Sequence, residues 1–338
     1  MILDGRTISS DVRKANAFMS HYASVNRFSF TKEERVRNRE CKAMLKSPSV
    51  DTEAGKDFTI TEVNSAIATM KTKGAAGPDD ILPTFLKALG PFARSYLLHI
   101  FNTSFREGFC AQVWQNAIII PLLKMGKPAS QLTSFRPVSL TSCVVKTLER
   151  MIANRLYALA EEKGWINAAQ AGFRKHHSCE DQILRVNQSS SDGFQTKPDK
   201  RSVLVLLDYS KAYDKVWREE LLMTMHEVGV PAVFLRWIRG FLLNRQARVS
   251  YNDTLGRTRR ILQGLPQGSV LSPLLFLFYI NSVSDNIPKS VNCAMYADDV
   301  SLWASPRCKE SASADIQQAV DCFGVEQEEE DDSEHREK

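Results

Sequence analysis

The pattern of hydrophobic and polar positions predicts several helices in the first half of the chain. The first sixty residues are polar and charge-rich without a sustained apolar period, which predicts an extension of loosely packed helices with little chemistry. From Thr61, apolar residues recur at helical spacing up to the turn GAAGPDD, and a second helix is expected over residues 83–89. A long helical period over residues 139–163 ends at Gly164, which predicts an amphipathic helix there.

Short apolar runs predict the strands. Residues 117–123 and 135–138 are expected to pair as a hairpin whose turn, residues 124–127, is cationic. Residues 202–207 are a fully apolar run, and two further apolar strands are expected to join at Asp298 and Asp299. A second hairpin is expected where ARVSYN and RTRRILQ flank the turn DTLG.

Further helices and a surface connector complete the predicted elements. The helices are expected over residues 215–227, 232–243, 270–281 and 311–323, and the Ser- and Lys-rich connector over residues 188–200. Antiparallel strands with helices packed on them predict an α+β fold, and no internal repeat is present.

The composition is that of a soluble globular protein. The 338 residues are 43% apolar and 25% charged, which excludes general disorder, collagen and a disulfide mini-scaffold. The apolar run at residues 270–280 is too short to span a bilayer, and the N-terminal residues lack the apolar core of a signal peptide. We therefore expect no membrane partner and an intracellular protein without a clear targeting signal. Seven scattered cysteines predict reduced, mostly packed thiols rather than a zinc site.

Charge is distributed unevenly along the chain. The formal net charge is +5, but residues 326–338 hold eight acidic and two basic residues, as expected of a disordered acidic tail. The −6 charge of this tail leaves +11 for residues 1–325. A basic body favours a polyanionic partner such as nucleic acid, but solvated surfaces can carry a similar surplus, so charge alone leaves both interpretations open.

Three carboxylates stand at the ends of predicted strands. Asp208 ends one apolar run, and Asp298 and Asp299 lie between two others. An Asp-Asp pair alone is more typical of an exposed hairpin turn. If the strands are neighbours, the like charges converge, which is tolerable only when a cation neutralises them. Oxygen ligands without His or Cys favour Mg²⁺ or Mn²⁺, and two such ions can activate a 3′-hydroxyl and stabilise leaving pyrophosphate.

Six blocks in a fixed order resemble those of reverse transcriptases. LDYSKAYD (207–214), LPQGSVLSPLLFLFYIN (265–281) and MYADD (295–299) are similar in order and spacing to blocks of non-LTR, LINE-type retrotransposons. The upstream blocks KGAAGPDDI, IIIPLLKMGKP with SFRPVSL, and QAGFRKHHSCEDQ agree with this resemblance. It spans about residues 60–305, and the N-terminal MILDGR resembles ingi-type elements more specifically.

The resemblance implies a catalytic centre with Mg²⁺, or Mn²⁺, as cofactor. Asp208 and Asp298 would be the principal metal ligands, and Asp299 the accompanying carboxylate. Tyr213, five residues after Asp208, matches an aromatic residue beneath the sugar that excludes a 2′-hydroxyl. The alternative for Tyr213 is a core tyrosine on the first turn of a helix.

The resemblance also implies nucleotide-binding residues. Gln267 and Gly268 match a block that lines the nucleotide and the template, whereas a plain helix N-terminal loop would explain the neighbouring Pro, Gly and Ser but not the Gln. Arg136 and Lys124 resemble the residues that clamp the triphosphate, and Arg suits bidentate phosphate contact. For Lys124, solvated surface charge is an equal alternative, and Lys127 could align in its place.

A basic loop with an aromatic ring is expected to contact the template. Its residues are Gly172, Phe173, Arg174, Lys175 and His177. Such a mixture suits a single strand, although a solvated basic loop is the alternative. Two positions depart from the family pattern: Cys179 stands where relatives often carry Thr, and His176 where they often carry Gly.

The implied architecture is the fingers and palm of a right-hand polymerase. The fingers would cover residues 61–201 and about 231–262, and the palm the remainder of 202–308, with an N-terminal extension over 1–60 and a short helix within 309–325. Relatives also carry a thumb, a primer grip and an endonuclease, which we do not find in this chain, so it resembles a truncated copy.

The function implied is RNA-templated extension of a DNA primer by deoxynucleoside triphosphates, with a nuclear site of action. The alternative is a noncatalytic RNA-binding remnant. A viral-type RNA polymerase is disfavoured by Tyr213 and the LPQGS block.

Overall fold

The computed structural model describes residues 2–3, 6–46, 53–196, 202–285, 287–304 and 309–322. The chain divides into two compact units: unit 1 is Met1–Ile166 with Lys211–Tyr279, and unit 2 is Asn167–Ser210 with Ile280–Lys338. Helices and antiparallel strands occur together in both, which confirms the predicted α+β class. The limits of fingers and palm stay a prediction.

The elements are numbered along the chain. The strands are β1 (Ile2–Leu3), β2 (Arg6–Thr7), β3 (Asn116–Leu123), β4 (Phe135–Leu140), β5 (Val203–Asp208), β6 (Gln246–Tyr251), β7 (Thr254–Leu255), β8 (Arg259–Arg260), β9 (Asn292–Tyr296) and β10 (Asp299–Ala304). The helices are α1 (Asp11–Val25), α2 (Lys32–Met44), α3 (Ile60–Ala68), α4 (Pro83–Ala88), α5 (Pro91–Glu107), α6 (Gln112–Gln115), α7 (Cys143–Lys163), α8 (Cys179–Phe194), α9 (Arg218–Glu227), α10 (Ala232–Leu242), α11 (Ser272–Tyr279) and α12 (Lys309–Cys322).

The main sheet of unit 1 has the strand order β4-β3-β6-β7, and β8 also pairs with β6. The pairing of β3 with β4 confirms the predicted hairpin with a cationic connection. The second hairpin turns at Asn252 and Asp253, not over DTLG as predicted. Both residues have positive φ (46° and 59°), which the tight two-residue turn requires and which Asn and Asp tolerate.

The N-terminal helix α1 packs on this sheet, so the prediction of a loosely packed extension was wrong. Phe18 and Met19 are fully buried in one cluster with Val249 of β6 and Ile119 of β3. The prediction missed a helical period that charged neighbours obscure, in which buried residues recur at separations of three and four positions. Its members are Ala15, Phe18, Met19 and Tyr22.

Local signals explain where the helices of unit 1 begin and end. Helix α3 starts one residue earlier than predicted, because Thr59 and Glu62 form a reciprocal capping box. Helix α7 ends at Gly164, whose φ of 65° is the left-handed conformation expected after a helix C-terminus. At both helix ends, local residues therefore determine where the helix begins or ends.

Unit 2 contains the antiparallel sheet β5-β10-β9. Helix α12 packs in the cluster with Val205, Leu302 and Met295 on one face. On the opposite face Trp303 Nε1 donates a hydrogen bond to Ser189 Oγ of α8 at 2.9 Å. Leu206 is 71% exposed on this second face, so β5 is not enclosed on both sides.

The predicted connector and the predicted acidic tail have different outcomes. The expected connector at residues 188–200 is helical as far as the end of α8, and residues 326–338 lie outside the described part of the chain. Among the described cysteines, four are buried free thiols and Cys179 is exposed, as the prediction of packed thiols requires. No described helix has the length and apolar content to cross a bilayer.

Candidate active site

Asp208 and Asp299 lie directly opposite each other in the sheet of unit 2. Asp208 is the last residue of β5, Asp299 is the first residue of β10, and the two are cross-strand partners in the antiparallel register. Both are exposed. Partners in such a register project to the same face with Cβ atoms about 4.5–5.5 Å apart, where like charges repel. The predicted convergence of these two strand ends is therefore present.

Asp298 lies in the turn beside this pair. The turn between β9 and β10 consists of Ala297 and Asp298, because Tyr296 and Asp299 are paired. Asp299 thus belongs to the strand, whereas the sequence pattern placed both Asp residues at the junction. Ala297 has a φ of 58°, as a primed hairpin turn requires of its first central residue, although this conformation is unfavourable for alanine.

Gln170 fixes this turn from the neighbouring loop. Its side chain is 2% exposed, and Oε1 accepts hydrogen bonds from the backbone N–H groups of Gly172 (2.7 Å) and Ala297 (2.9 Å). Its Nε2 donates to the carbonyl of Ala297 at 3.2 Å. Gly172 lies so close to Ala297 that no side chain fits there. Gln170 was not singled out from the sequence, although it stands at the start of the block QAGF.

The predicted template loop follows Gly172 in the same unit. Phe173 is 51% exposed, and Lys175 and His177 are also exposed. Arg174 is used inside the loop, since Nη1 donates to the carbonyls of Gln170 (3.0 Å) and Asn167 (3.3 Å). The loop therefore presents its aromatic ring and two of its basic side chains.

Tyr213 belongs to unit 1, in a 3-10 turn over Ala212–Lys215. Its ring stacks on Phe276 of α11, with centroids 5.0 Å apart and 12° between the planes. Its carbonyl accepts the N–H of Leu265 at 2.7 Å, and Gln267 Nε2 donates to the carboxylate of Asp214 at 3.2 Å. The fold thus brings together the segments that carry Tyr213 and Gln267.

Gly268 allows this segment to approach β4. The N–H of Ser139 donates to the carbonyl of Gln267 at 2.7 Å, and Gly268 has a φ of 114°. A Cβ on Gly268 would lie 2.6 Å from the carbonyl oxygen of Ser139. Only glycine satisfies both the conformation and the close approach at this position.

Glu149 of α7 holds the same segment at the start of α11. Its side chain is fully buried, and Oε2 accepts the N–H groups of Val270 (2.8 Å) and Leu271 (3.2 Å) and the hydroxyl of Ser269. Burial raises the pKa of Glu149, and the bonds from Ser269 and Leu271 act in the opposite direction. The helical pattern of α7 predicted an amphipathic helix but did not single out Glu149. A charged residue between the apolar positions of KTLERMI was the available signal.

A small cavity lies beside Asp214. Its volume is about 40 Å³, and its lining includes Tyr22, Pro137, Ser139 and Gln267. Burial raises the pKa of Asp214 to about 6. Burial also raises the pKa of Tyr22, whose hydroxyl is buried without a hydrogen-bond partner among the described residues.

Arg136 and Lys124 lie on the hairpin of β3 and β4. Arg136 is exposed on β4 opposite Leu122, and Lys124 follows β3 and donates its backbone N–H to Ser134 at 2.8 Å. Strand alternation places Arg136 and Ser139 on opposite faces of β4. The structure therefore groups Arg136 with Lys124 and not with the cavity that Ser139 and Gln267 line.

Among the described residues, no group of three or more His, Cys, Asp or Glu side chains is arranged to hold a metal ion. The carboxylate site thus rests on the facing pair Asp208 and Asp299 and on the position of Asp298 in the adjacent turn.

Comparisons with a family profile and with individual proteins both match RNA-directed DNA polymerases. The sequence profile described as "Reverse transcriptase (RNA-dependent DNA polymerase)" matches residues 124–327. The chain is 30% identical over 321 residues to the "Probable RNA-directed DNA polymerase from transposon BS" of Drosophila melanogaster, which covers 93% of this chain and 35% of that protein. It is 30% identical over 291 residues to the "RNA-directed DNA polymerase from mobile element jockey" of the same species, covering 84% of this chain and 31% of that protein. The chain therefore spans about a third of the length of these relatives.

Proposed function

We propose, from the premise that the chain belongs to the reverse transcriptase (RNA-dependent DNA polymerase) family, that it extends a DNA primer by copying an RNA template. The substrates would be deoxynucleoside triphosphates. The observation that carries this proposal is the facing pair Asp208 and Asp299 next to the turn that contains Asp298.

The chemistry of these donors suits a divalent cation, although the three carboxylates are not arranged as a metal site in this structure. All candidate ligands are carboxylate oxygens, which Mg²⁺ and Mn²⁺ prefer, and the facing pair gains from a neutralising charge. Asp208, Asp298 and Asp299 would hold the ion, with Mg²⁺ as the principal choice. When bound, such an ion activates the primer 3′-hydroxyl and neutralises charge on the leaving pyrophosphate.

Tyr213 would select the sugar. Its ring is held flat by the stack on Phe276, so it can present a fixed surface that excludes a 2′-hydroxyl. Gln267 and Gly268 would line the nucleotide, and the exposed backbone of Gly268 would be accessible to it. Arg136 and Lys124 would bind the triphosphate, Arg136 through its bidentate guanidinium.

The loop of Gly172, Phe173, Arg174, Lys175 and His177 would contact the RNA template. Its exposed ring can stack on a base, and Lys175 and His177 lie beside it. Arg174 supports the loop, because its guanidinium donates hydrogen bonds to the carbonyls of Asn167 and Gln170. These residue roles, and the division into fingers and palm, are proposed from the family membership and from the positions of the residues. A nuclear site of action is proposed from the resemblance alone.

Primer extension on an RNA template tests the proposed function. The purified chain should incorporate dNTPs in preference to rNTPs with Mg²⁺, and Asp208→Asn and Asp298→Asn should each abolish incorporation while RNA binding is kept. Asp192→Asn, at an exposed carboxylate of α8 in the same unit, is the matched control and should retain incorporation. Full incorporation by either active-site variant would exclude the carboxylate assignment. RNA binding without any incorporation would favour the noncatalytic alternative.

A further inference from the structure

Asn26, directly after α1, connects the two segments that carry Tyr213 and Gln267. Its side chain is 5% exposed. Its Nδ2 donates to the carbonyl of Asp214 at 2.8 Å and to the carbonyl of Gln263 at 3.0 Å. One amide therefore bonds the residue after Tyr213 and a residue four positions before Gln267.

Gly264 supplies the space for this contact. Its φ is 80°, and a Cβ there would lie 2.6 Å from Asn26 Nδ2 and 2.6 Å from the carbonyl oxygen of Asp214. The backbone of the same segment is also paired with the Tyr213 turn, because Gly264 N–H donates to Val216 O at 2.8 Å and Leu265 N–H to Tyr213 O. The close approach depends on a glycine on one side and the Asn26 amide on the other.

Arg218 holds the 261–264 segment independently of Asn26. The buried guanidinium donates from Nε to the carbonyl of Gly264 at 2.8 Å and from Nη2 to that of Gln263 at 3.1 Å. Loss of Asn26 would therefore leave this segment held, while the Asp214 carbonyl would lose the bond that Asn26 supplies. The effect should fall on the Tyr213 turn.

Helix α1 gives Asn26 a fixed position. The ring of Phe18 packs edge-on against Phe135 with centroids 4.9 Å apart and stacks on Tyr251 at 5.7 Å. Tyr22, one turn before Asn26, lines the cavity beside Asp214. Helix α1 and Asn26 lie outside residues 124–327, which the family profile matches.

We propose that Asn26 is a positioning residue for sugar selection, which sets the place of the Tyr213 ring through the main chain of Asp214. The inference rests on the proposed role of Tyr213. It assigns a specificity role to the N-terminal helix, in which the sequence suggested little chemistry.

Nucleotide selectivity tests the inference. Asn26→Ala should lower the ratio of dNTP to rNTP incorporation about tenfold, a difference of about 1.4 kcal/mol between the two substrates. Asn102→Ala is the matched control, because Asn102 is also buried in unit 1 and bonds the backbone of Phe58 through both amide atoms. That control should lower stability without changing the ratio.

A double variant separates positioning from a general loss of stability. If Asn26 acts through Tyr213, adding Asn26→Ala to Tyr213→Val should cause no further change in the ratio. Additive effects, or an unchanged ratio in Asn26→Ala, would overturn the inference. If Asn26→Ala does not fold, Asn26→Ser, which keeps one donor, should give an intermediate ratio, and a wild-type ratio would overturn the inference.

Hydrogen exchange distinguishes this failure from failure of the proposed function. The Leu265 amide should exchange faster in Asn26→Ala than in Asn102→Ala, since it bonds the Tyr213 carbonyl. Unchanged exchange of the Leu265 amide would overturn the positioning role of Asn26 whether or not the chain is active. No incorporation by the unmodified chain would overturn the proposed function, and the role in sugar selection with it. If Tyr213→Val left selectivity unchanged, the assignment of Tyr213 would fail, and the role of Asn26 in sugar selection would be overturned with it.

Discussion

Asp299, the first residue of β10, faces Asp208, the last residue of β5, across an antiparallel pair. The two carboxylates therefore share one face of the sheet at its edge beside the turn. This relationship joins two sequence blocks about ninety residues apart and defines the point at which a cation is expected.

Removing one of these charges should stabilise the metal-free chain. Asp299→Asn should raise the free energy of unfolding by about 0.2–1 kcal/mol without Mg²⁺, because direct opposition of like charges is relieved. Added Mg²⁺ should raise the Tm of the unmodified chain and not that of Asp208→Asn, as measured by thermal unfolding. Equal Mg²⁺ responses of the two proteins would exclude a metal at this pair.

Gln170 should be required to hold the turn of Asp298. Gln170→Ala should cost about 2–3 kcal/mol in the free energy of unfolding, because buried backbone groups of Ala297 and Gly172 lose their partners. Incorporation should fall about tenfold or more, with RNA binding kept. Gln170→Glu can still accept but cannot donate to the Ala297 carbonyl, so an intermediate loss is expected. Gln182→Ala is the control, because among the described residues the Gln182 side chain makes a single hydrogen bond, from Nε2 to Ala169 O at 3.4 Å. Losses as large as those of Gln170→Ala would contradict a specific role of Gln170 in holding the turn.

Asp214 should make stability fall as pH rises from about 4 to about 6. Burial raises its pKa to about 6 from a usual 3.8, so the folded chain keeps a proton that the unfolded chain releases in this window. The free energy of unfolding should decline by roughly 2–3 kcal/mol across it and level off above pH 6. Asp214→Asn should remove that decline, as urea titrations at several pH values would measure. The same slope in both proteins would contradict the effect of burial.

Arg136 should bind the incoming triphosphate. Arg136→Ala is expected to raise the KM for dNTPs about tenfold with a smaller effect on kcat, and Arg136→Lys should recover part of it because a point charge remains. Gln131→Ala, at an exposed position in the same hairpin connection, is the matched control and should leave the KM for dNTPs unchanged. A KM increase as large in Gln131→Ala would contradict a specific phosphate contact by Arg136.

The carboxylate positions could be predicted because strand ends and turns leave local signals. An apolar run ending in Asp208 and a pair of Asp residues between two apolar runs place the charges at one edge as soon as the strands are neighbours. The register itself was not predictable, and it moved Asp299 from the turn into β10.

The residues that hold the site could not be predicted in the same way. Gln170 and Glu149 bond backbone groups about 120 residues away, and no local period records such a contact. The burial of α1 was missed for another reason, since alanine and tyrosine complete its buried face within a polar sequence. The exposure of Leu206 was also not predictable, because an unbroken apolar run does not show which faces of the strand are covered.

The burial of Phe18 and Met19 against β3 and β6 also matters for how the protein can be handled. A fragment that begins at residue 124, where the family match begins, would lack both α1 and β3. It would uncover Ala247 and Val249 on β6 and leave one edge of that strand unpaired. Exposed apolar surface beside a free strand edge favours aggregation. The matched family segment alone is therefore expected to precipitate on expression, whereas a chain that includes residues from Asp11 onward would keep this face of the sheet covered.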